Sequence, residues 1–421
     1  MRSFFALVAA WCACALAVAD TPLDLASKAE QLIRGGDMNG ALATLSEAEN
    51  AAPASAESED RIGFLFAVLG RGADAVRHFE KSIALDGSYA AGHYHLGVAL
   101  WQANDREHSL TELQAAAKLA PNVFDYRYRL GSALLQVGDL DEAAMELRQA
   151  IGLDVMKPGA WQDLGRALEA KGDLAGAVDA TEHALALDAS NDVLRNSYAY
   201  LLIETRRAQQ GIAESQKVLA HNPADVSAML NIGYAHLMTG EFDLAEQAYR
   251  QAVGADGKSA VAHYDLGIAL KMRDQLEAAQ SEFKEAIRLE PKLAEAHYSL
   301  GIADWQLGDF SGMAEQMRAA LEIRPEYPEA HYMLGIALKQ ASDYEKAIAE
   351  LKEAIRLDPS TPGPYNTLGQ ILRIKGDKAG SEEMFATGAR LKREKESQLA
   401  NTLDQGMRGG TIMKPLGGGP Q

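Results

Sequence analysis

Apolar and polar residues recur along this chain with a period of 34 residues. The clearest copies are AVAHYDLGIAL from Ala260, AEAHYSLGIAD from Ala294 and PEAHYMLGIAL from Pro328. Apolar residues within each copy are three or four positions apart, which places them on one face of a helix. The glycine of this phrase recurs at the same interval, at Gly63, Gly97, Gly131, Gly165, Gly233, Gly267, Gly301, Gly335 and Gly369.

This 34-residue interval, extended in both directions, defines eleven repeats. We number the positions of each repeat from its own first residue. They cover residues 22–395 and begin at residues 22, 56, 90, 124, 158, 192, 226, 260, 294, 328 and 362. Pairs such as Gly138-Asp139 and Gly308-Asp309 divide a repeat in two, because glycine ends one helix and aspartate caps the next. Each repeat is therefore predicted to be a helical hairpin, and such hairpins must stack to bury their apolar faces.

The pattern resembles the tetratricopeptide repeat (TPR) family. The repeat at residues 294–327 carries the family's residues, which are His297, Leu300, Gly301, Phe310, Ala320 and Pro325. The resemblance implies an all-α fold, a right-handed α-α superhelix of about eleven 34-residue helical hairpins. It also implies a C-terminal capping helix that ends within residues 396–405, and the glycine-rich residues 406–421 are expected to be disordered.

A second apolar face lies on the first helix of each hairpin, at positions 2, 5, 9, 12 and 13. The resemblance implies that this face lines a concave groove, and tyrosine and tryptophan there suit a bound peptide or amphipathic helix. Alternatively, the same residues fill the joint between successive first helices. The predicted partner-binding residues are Tyr94, Val98, Trp101, Tyr128, Tyr234, Tyr264, Ile268, Tyr298, Ile302, Trp305, Tyr332 and Ile336; residues 260–361 are the favoured stretch.

The sequence contains no recognisable catalytic, cofactor-binding or metal-binding motif. His93, His263, His297 and His331 recur at position 4, and helices that pack about 8–10 Å apart cannot share zinc through bonds of about 2 Å. We interpret these histidines as core residues. We therefore predict no metal, no cofactor, no small-molecule substrate and no enzymatic activity. An enzyme with an unrecognised site is the least favoured alternative.

Charge and the first residues refine the picture. The formal net charge is −18, and this excess of acid argues against binding to nucleic acid. Residues 1–19 have Arg2, an apolar run from Ser3 to Leu16 and the small residues Ala17-Val18-Ala19, which predicts a cleaved signal peptide. A retained N-terminal membrane anchor is the alternative. Because both cysteines lie in this segment, no disulfide is expected in the mature chain.

These expectations combine into one functional prediction. We expect an exported scaffold or adaptor, periplasmic or secreted, that docks a partner peptide or helix in an aromatic-lined groove. Contact with a membrane is expected only if the N-terminal segment is retained. The alternative is a structural solenoid of the cell envelope that self-associates by end-to-end stacking.

Overall fold

The computed structural model describes residues 20–404 of the protein. Its described part contains 22 helices, paired as hairpins, and no strand. The predicted all-α fold of helical hairpins is thereby confirmed. The predicted signal peptide at residues 1–19 and the predicted tail at residues 406–421 lie outside the described residues. The chain divides into two compact units, the N-terminal unit at residues 1–187 and the C-terminal unit at residues 188–421.

The N-terminal unit has ten helices in its described part. Each odd-numbered helix packs against the helix that follows it, and each resulting hairpin packs against the next. We call the odd-numbered helices first helices and the even-numbered ones second helices. They are α1 (Pro22–Arg34), α2 (Met38–Asn50), α3 (Ala56–Val68), α4 (Gly72–Leu85), α5 (Ala90–Gln102), α6 (Arg106–Leu119), α7 (Phe124–Val137), α8 (Leu140–Leu153), α9 (Pro158–Ala170) and α10 (Leu174–Leu187).

The C-terminal unit has twelve helices in its described part, arranged in the same way. The last helix is about twice as long as the others and continues beyond the final repeat. The helices are α11 (Asp192–Glu204), α12 (Ala208–His221), α13 (Val226–Thr239), α14 (Phe242–Ala255), α15 (Ala260–Met272), α16 (Leu276–Leu289), α17 (Ala294–Gln306), α18 (Phe310–Ile323), α19 (Pro328–Gln340), α20 (Tyr344–Leu357), α21 (Pro362–Ile374) and α22 (Lys378–Asp404).

Glycine followed by aspartate forms the turn in several hairpins. Gly308, which follows α17, has a φ of 83°, in the left-handed region that favours glycine. Asp309 then caps α18, because its side chain accepts a hydrogen bond from the Gly312 amide at 2.8 Å. Other turns adopt the left-handed conformation without glycine, at φ values between 60° and 65°, and the residues are Asn104, Arg206, Asp274 and Ser342.

Close approach of the two helices explains the glycine of the repeated phrase. A Cβ atom built on Gly267 would lie 2.5 Å from the ring of Phe283, and one on Gly233 would lie 2.5 Å from the ring of Tyr249. Both rings are fully buried and belong to the same core cluster of the C-terminal unit. Glycine on the first helix therefore leaves the space that a large residue of the second helix occupies.

The side chain at position 4 joins three parts of the chain, and we call this arrangement the position-4 latch. His263 Nδ1 lies 2.6 Å from Glu282 of the second helix, and His263 Nε2 lies 3.3 Å from the Gly257 carbonyl in the preceding loop. The predicted core histidines are thus hydrogen bonded as well as packed. The same arrangement recurs at His93, Arg127, Arg195, His297 and His331.

Candidate partner-binding face

Successive first helices contact one another within each unit. In the N-terminal unit α1 contacts α3, α3 contacts α5 and α7 contacts α9. In the C-terminal unit α11 contacts α13, α13 contacts α15, α15 contacts α17 and α19 contacts α21. Equivalent positions of neighbouring first helices therefore form rows, about 8–10 Å apart from helix to helix. We call the surface made by positions 2, 5, 9, 12 and 13 the first-helix face.

Three of the predicted groove residues in the C-terminal unit are buried between neighbouring first helices. Tyr234 is 3% exposed, and Tyr264 and Ile268 are each 1% exposed. The Tyr264 hydroxyl lies 3.5 Å from the Ser299 hydroxyl of the next first helix, and the Tyr234 hydroxyl donates to Glu204 of the preceding one. Burial raises the pKa of both tyrosines. Their packing joins adjacent repeats, and a direct contact with a partner stays a prediction.

Four further predicted residues of the C-terminal unit are half-buried, namely Tyr298, Ile302, Tyr332 and Ile336, and all four pack against one core cluster. The ring of Tyr298 lies 5.1 Å from that of Tyr327, and burial raises the pKa of Tyr298 to about 12. Tyr332 lies over the next first helix, where a Cβ on Gly363 would be 2.8 Å from its hydroxyl. These residues keep part of their surface open, and their contact with a partner stays a prediction.

The predicted residues of the N-terminal unit contact other side chains of the same unit. Tyr94 is half-buried and stacks on Tyr126 at 4.7 Å between ring centroids. The guanidinium of Arg106 lies 3.9 Å from the ring centroid of Trp101, which is 9% exposed. Tyr128 and Val98 are half-buried. The indole face of Trp101 is therefore already occupied by a cation of the chain itself.

Three of the exposed large apolar residues of the C-terminal unit lie at the C-terminal ends of three successive first helices. Met238 at the end of α13 is 37% exposed, Met272 at the end of α15 is 40% exposed and Trp305 at the end of α17 is 42% exposed. We call these three residues the exposed row. The sequence places Met238 and Met272 on the predicted face, at position 13 of their repeats, but the predicted partner-binding residues include only Trp305 of the three. Two exposed residues at related positions, Leu307 and Ile374, were missed.

An open pocket of about 450 Å³ adjoins the turn after α13. Its lining includes Phe242, Leu244 and Arg273, and Arg273 directly follows Met272 of the exposed row. Arg273 is held by ion pairs to Asp243 and Glu246 of α14. The polar rim of the exposed row is thus fixed by charges of the chain.

The described residues show two further features that bear on function. Within residues 20–404 no three His, Cys, Asp or Glu side chains come close enough together to hold a metal ion. None of the helices in that range combines the length and the apolar character needed to cross a membrane.

Comparison with known proteins identifies the repeat. The family profile described as "Tetratricopeptide repeat" matches residues 65–124, 99–155, 128–192, 199–260, 264–328, 301–362 and 332–390. No curated protein matches the chain significantly. Among solved structures, a tetratricopeptide repeat protein from Parabacteroides merdae is 13% identical with a TM-score of 0.53, over 59% of this chain and 98% of that chain. At this identity the likeness concerns the fold alone.

Two other solved structures resemble parts or most of the chain less closely. Yeast Tom70 is 15% identical with a TM-score of 0.45, over 91% of this chain and 95% of that chain. YrrB, described as a TPR protein with an unusual peptide-binding site, is 19% identical with a TM-score of 0.39, over 45% of this chain and 97% of that chain.

Proposed function

Since this chain belongs to the tetratricopeptide repeat family, we propose that it is an exported scaffold that binds a partner protein through its exposed row. The family fold is typically an interaction scaffold, and we assign no catalytic role to it. The observation that carries the proposal is the recurrence of exposed apolar side chains at the ends of α13, α15 and α17.

Periodicity separates the exposed row from ordinary surface apolar residues. Single exposed apolar side chains are common on any protein and need no explanation. Here Met238, Met272 and Trp305 follow one another on neighbouring first helices. Methionine adapts its shape to a partner, and tryptophan is enriched among residues that dominate binding energy. A partner segment that follows the row would contact all three.

The spacing of the row restricts the shape of the partner. Neighbouring helices lie about 8–10 Å apart. An extended chain in the polyproline II conformation rises about 3.1 Å per residue with about three residues per turn, so every third side chain would face the row. A helix rises about 1.5 Å per residue, so it would place one at about every sixth or seventh position, and the seventh lies on the same helical face. Both forms agree with the predicted docking of a peptide or helix.

Two variants test the proposed function. Peptides selected from a random display library on the full chain are titrated against a Met272→Ala/Trp305→Ala variant. Each side chain should contribute about 1–2 kcal/mol to binding, so the loss of both should lower the affinity by at least about 30-fold. The control is Leu119→Ala/Met145→Ala, because these residues are 41% and 48% exposed but lie on second helices. Equal binding by wild type and the Trp305 variant, with unchanged helicity, would refute the proposal.

Export is a separate part of the proposal, supported by the sequence pattern of residues 1–19. N-terminal sequencing of the protein recovered from the periplasm or medium tests it. We expect the chain to begin at Asp20. Recovery of an intact N terminus in the membrane fraction would instead establish a retained anchor.

A further inference from the structure

A pocket of about 380 Å³ opens between the first helices of the N-terminal unit, and we call it the acidic pocket. It lies where α3 faces α1 and the start of α5. Its walls combine carboxylates with aromatic rings. The lining residues that matter are Glu30, Glu57, Asp60, Arg61, Phe64, Tyr89 and His95.

The charges in the acidic pocket do not cancel. Glu30 accepts from both Arg61 and Arg34, so these three side chains together carry one positive charge. That leaves Glu57 and Asp60. Glu57 is exposed and forms no ion pair with any of the described residues. Neither Glu57 nor Asp60 is paired with an arginine or lysine among the described residues, so these two carboxylates outweigh the one excess arginine and the group keeps a negative charge while His95 is neutral.

Asp60 forms the floor of the acidic pocket. It is only 6% exposed, and its Oδ1 lies 2.7 Å from His95 Nδ1. The Tyr89 hydroxyl also donates to it. Burial, followed by the charges of Asp60 and Glu57, raises the pKa of Tyr89 to about 12. The geometry thus holds a carboxylate in place at the bottom of the pocket, with a second carboxylate at the mouth.

Aromatic rings form the remaining wall. The ring of Phe64 is 49% exposed, and its centroid lies 5.7 Å from that of His95. The ring of Tyr89 also lines the pocket. The face of an aromatic ring attracts a cation, most strongly where water is partly excluded. Carboxylates and ring faces in one pocket therefore select for positive charge carried on an apolar stem.

We propose that the acidic pocket binds a lysine or arginine side chain of a partner protein. Charge complementarity supports this occupant, and a metal ion is set aside because no suitable group of three ligands exists among residues 20–404. Glu57, Asp60 and Phe64 occupy positions 2, 5 and 9 of their repeat, so the pocket belongs to the first-helix face. A segment of protein chain that follows this face therefore passes over the pocket.

The inference rests on the proposed function as a protein-binding scaffold but depends on different residues from the exposed row. The chain's formal charge of −18 also favours the approach of a cationic partner over long range. Because salt screens contacts between exposed charges, binding of the cationic side chain to the acidic pocket should weaken as the salt concentration rises.

Peptides selected from a random display library on the full chain provide the test. We expect lysine or arginine at one recurring position, and replacement of that residue by norleucine should weaken binding. The Glu57→Gln/Phe64→Ala variant should bind these peptides roughly tenfold less tightly. Asp60 is left unchanged because its two hydrogen bonds support the fold. Far-UV circular dichroism verifies that the variant keeps its helicity.

The matched control is Glu107→Gln. Glu107 is an exposed acid in the first turn of α6, as Glu57 is in the first turn of α3, so both changes remove one charge from the same place on a helix. Binding that falls equally for both variants would refute the inference, as would a library without basic preference. Saturation of the pocket by n-butylammonium, with no peptide binding, would show that the occupant is a free amine and would also refute it.

The same selection separates this inference from the proposed function. Peptides that depend on Met272 and Trp305 but not on Glu57 and Phe64 would refute the acidic pocket and leave the scaffold function standing. Peptides that depend on neither set would refute both.

Discussion

Replacement of Gly267 by alanine tests the close approach of α15 and α16. The added Cβ would lie 2.5 Å from Cε1 and 2.7 Å from Cδ1 of Phe283, whose side chain is 0% exposed. The ring has no free space to enter, so the two helices must move apart. Overpacking of this kind costs about 1–3 kcal/mol, and the better helix propensity of alanine offsets up to about 1 kcal/mol. We expect the free energy of unfolding to fall by about 1–2 kcal/mol.

Gly254→Ala is the matched control, because Gly254 lies in α14 of the same unit and its added Cβ would meet nothing within 4 Å. This change should stabilise the protein by up to about 1 kcal/mol. Urea unfolding followed by far-UV circular dichroism compares the midpoints. Because repeat arrays open locally, amide hydrogen exchange in α15 and α16 provides the local measurement. A Gly267→Ala protein as stable as the control would refute the packing argument.

Three further predictions concern the turns and the latch. Ser342 has a φ of 60°, so Ser342→Gly should raise stability by roughly 0.5–1 kcal/mol, because relief of left-handed strain exceeds the entropic cost of glycine. Asn104→Gly should gain less in the same thermal unfolding assay, because asparagine tolerates this conformation. Asp309→Ala should lower the free energy of unfolding by about 1 kcal/mol, because it removes the cap of α18. Amide hydrogen exchange in the first turn of α18 should become faster, and an unchanged exchange rate would contradict the assigned cap. Burial opposes the charge of His331, but the hydrogen bonds to Glu350 and a backbone carbonyl raise its pKa above the ordinary value of 6.5. The stabilisation by the charged His331 latch is therefore complete below pH 6.5 and is lost as the pH rises through the folded-state pKa. The difference in stability between wild type and His331→Gln should shrink as the pH rises. A difference that grows with pH would contradict this prediction.

The regular spacing of the chain was sufficient to predict the fold class. The apolar spacing, the glycines and the prolines are local signals, because a helix begins or ends close to the residues that carry them. The described helices α15, α17 and α19 begin at Ala260, Ala294 and Pro328, which are the first residues of the three clearest copies of the repeated phrase. Helical hairpins follow from such local signals without knowledge of any distant contact.

The exposure of the first-helix face was harder to predict. Tyr264 at position 5 and Trp305 at position 12 are both aromatic and lie on the same predicted face. The structure buries the first to 1% and leaves the second 42% exposed, because the neighbouring first helix covers only part of this face. Side-chain period alone does not give the distance between neighbouring helices, so the prediction of a binding groove left packing between first helices as the alternative.

The position-4 latch and the acidic pocket each have a sequence signal, but it lies in polar and charged residues and not in the apolar pattern. An acid or amide follows each position-4 histidine by 19 residues, as at Glu282 and Gln316, and this spacing would have identified the latch. Glu57 and Asp60 stand at positions 2 and 5, where most later repeats carry uncharged residues. A search for charges in the same columns would have led to the acidic pocket.

The position-4 latch shows which stretch of the chain must be moved as one unit, here called a cassette, when repeats are exchanged. In the repeat of His263, the latch runs from the Gly257 carbonyl to the Glu282 carboxylate, so it begins three residues before α15. A cassette cut at the first residue of a first helix severs this connection at each junction. A cassette cut three residues earlier carries the whole connection with it. Chimaeras joined there should exchange binding specificity between repeats without weakening the packing between neighbouring repeats.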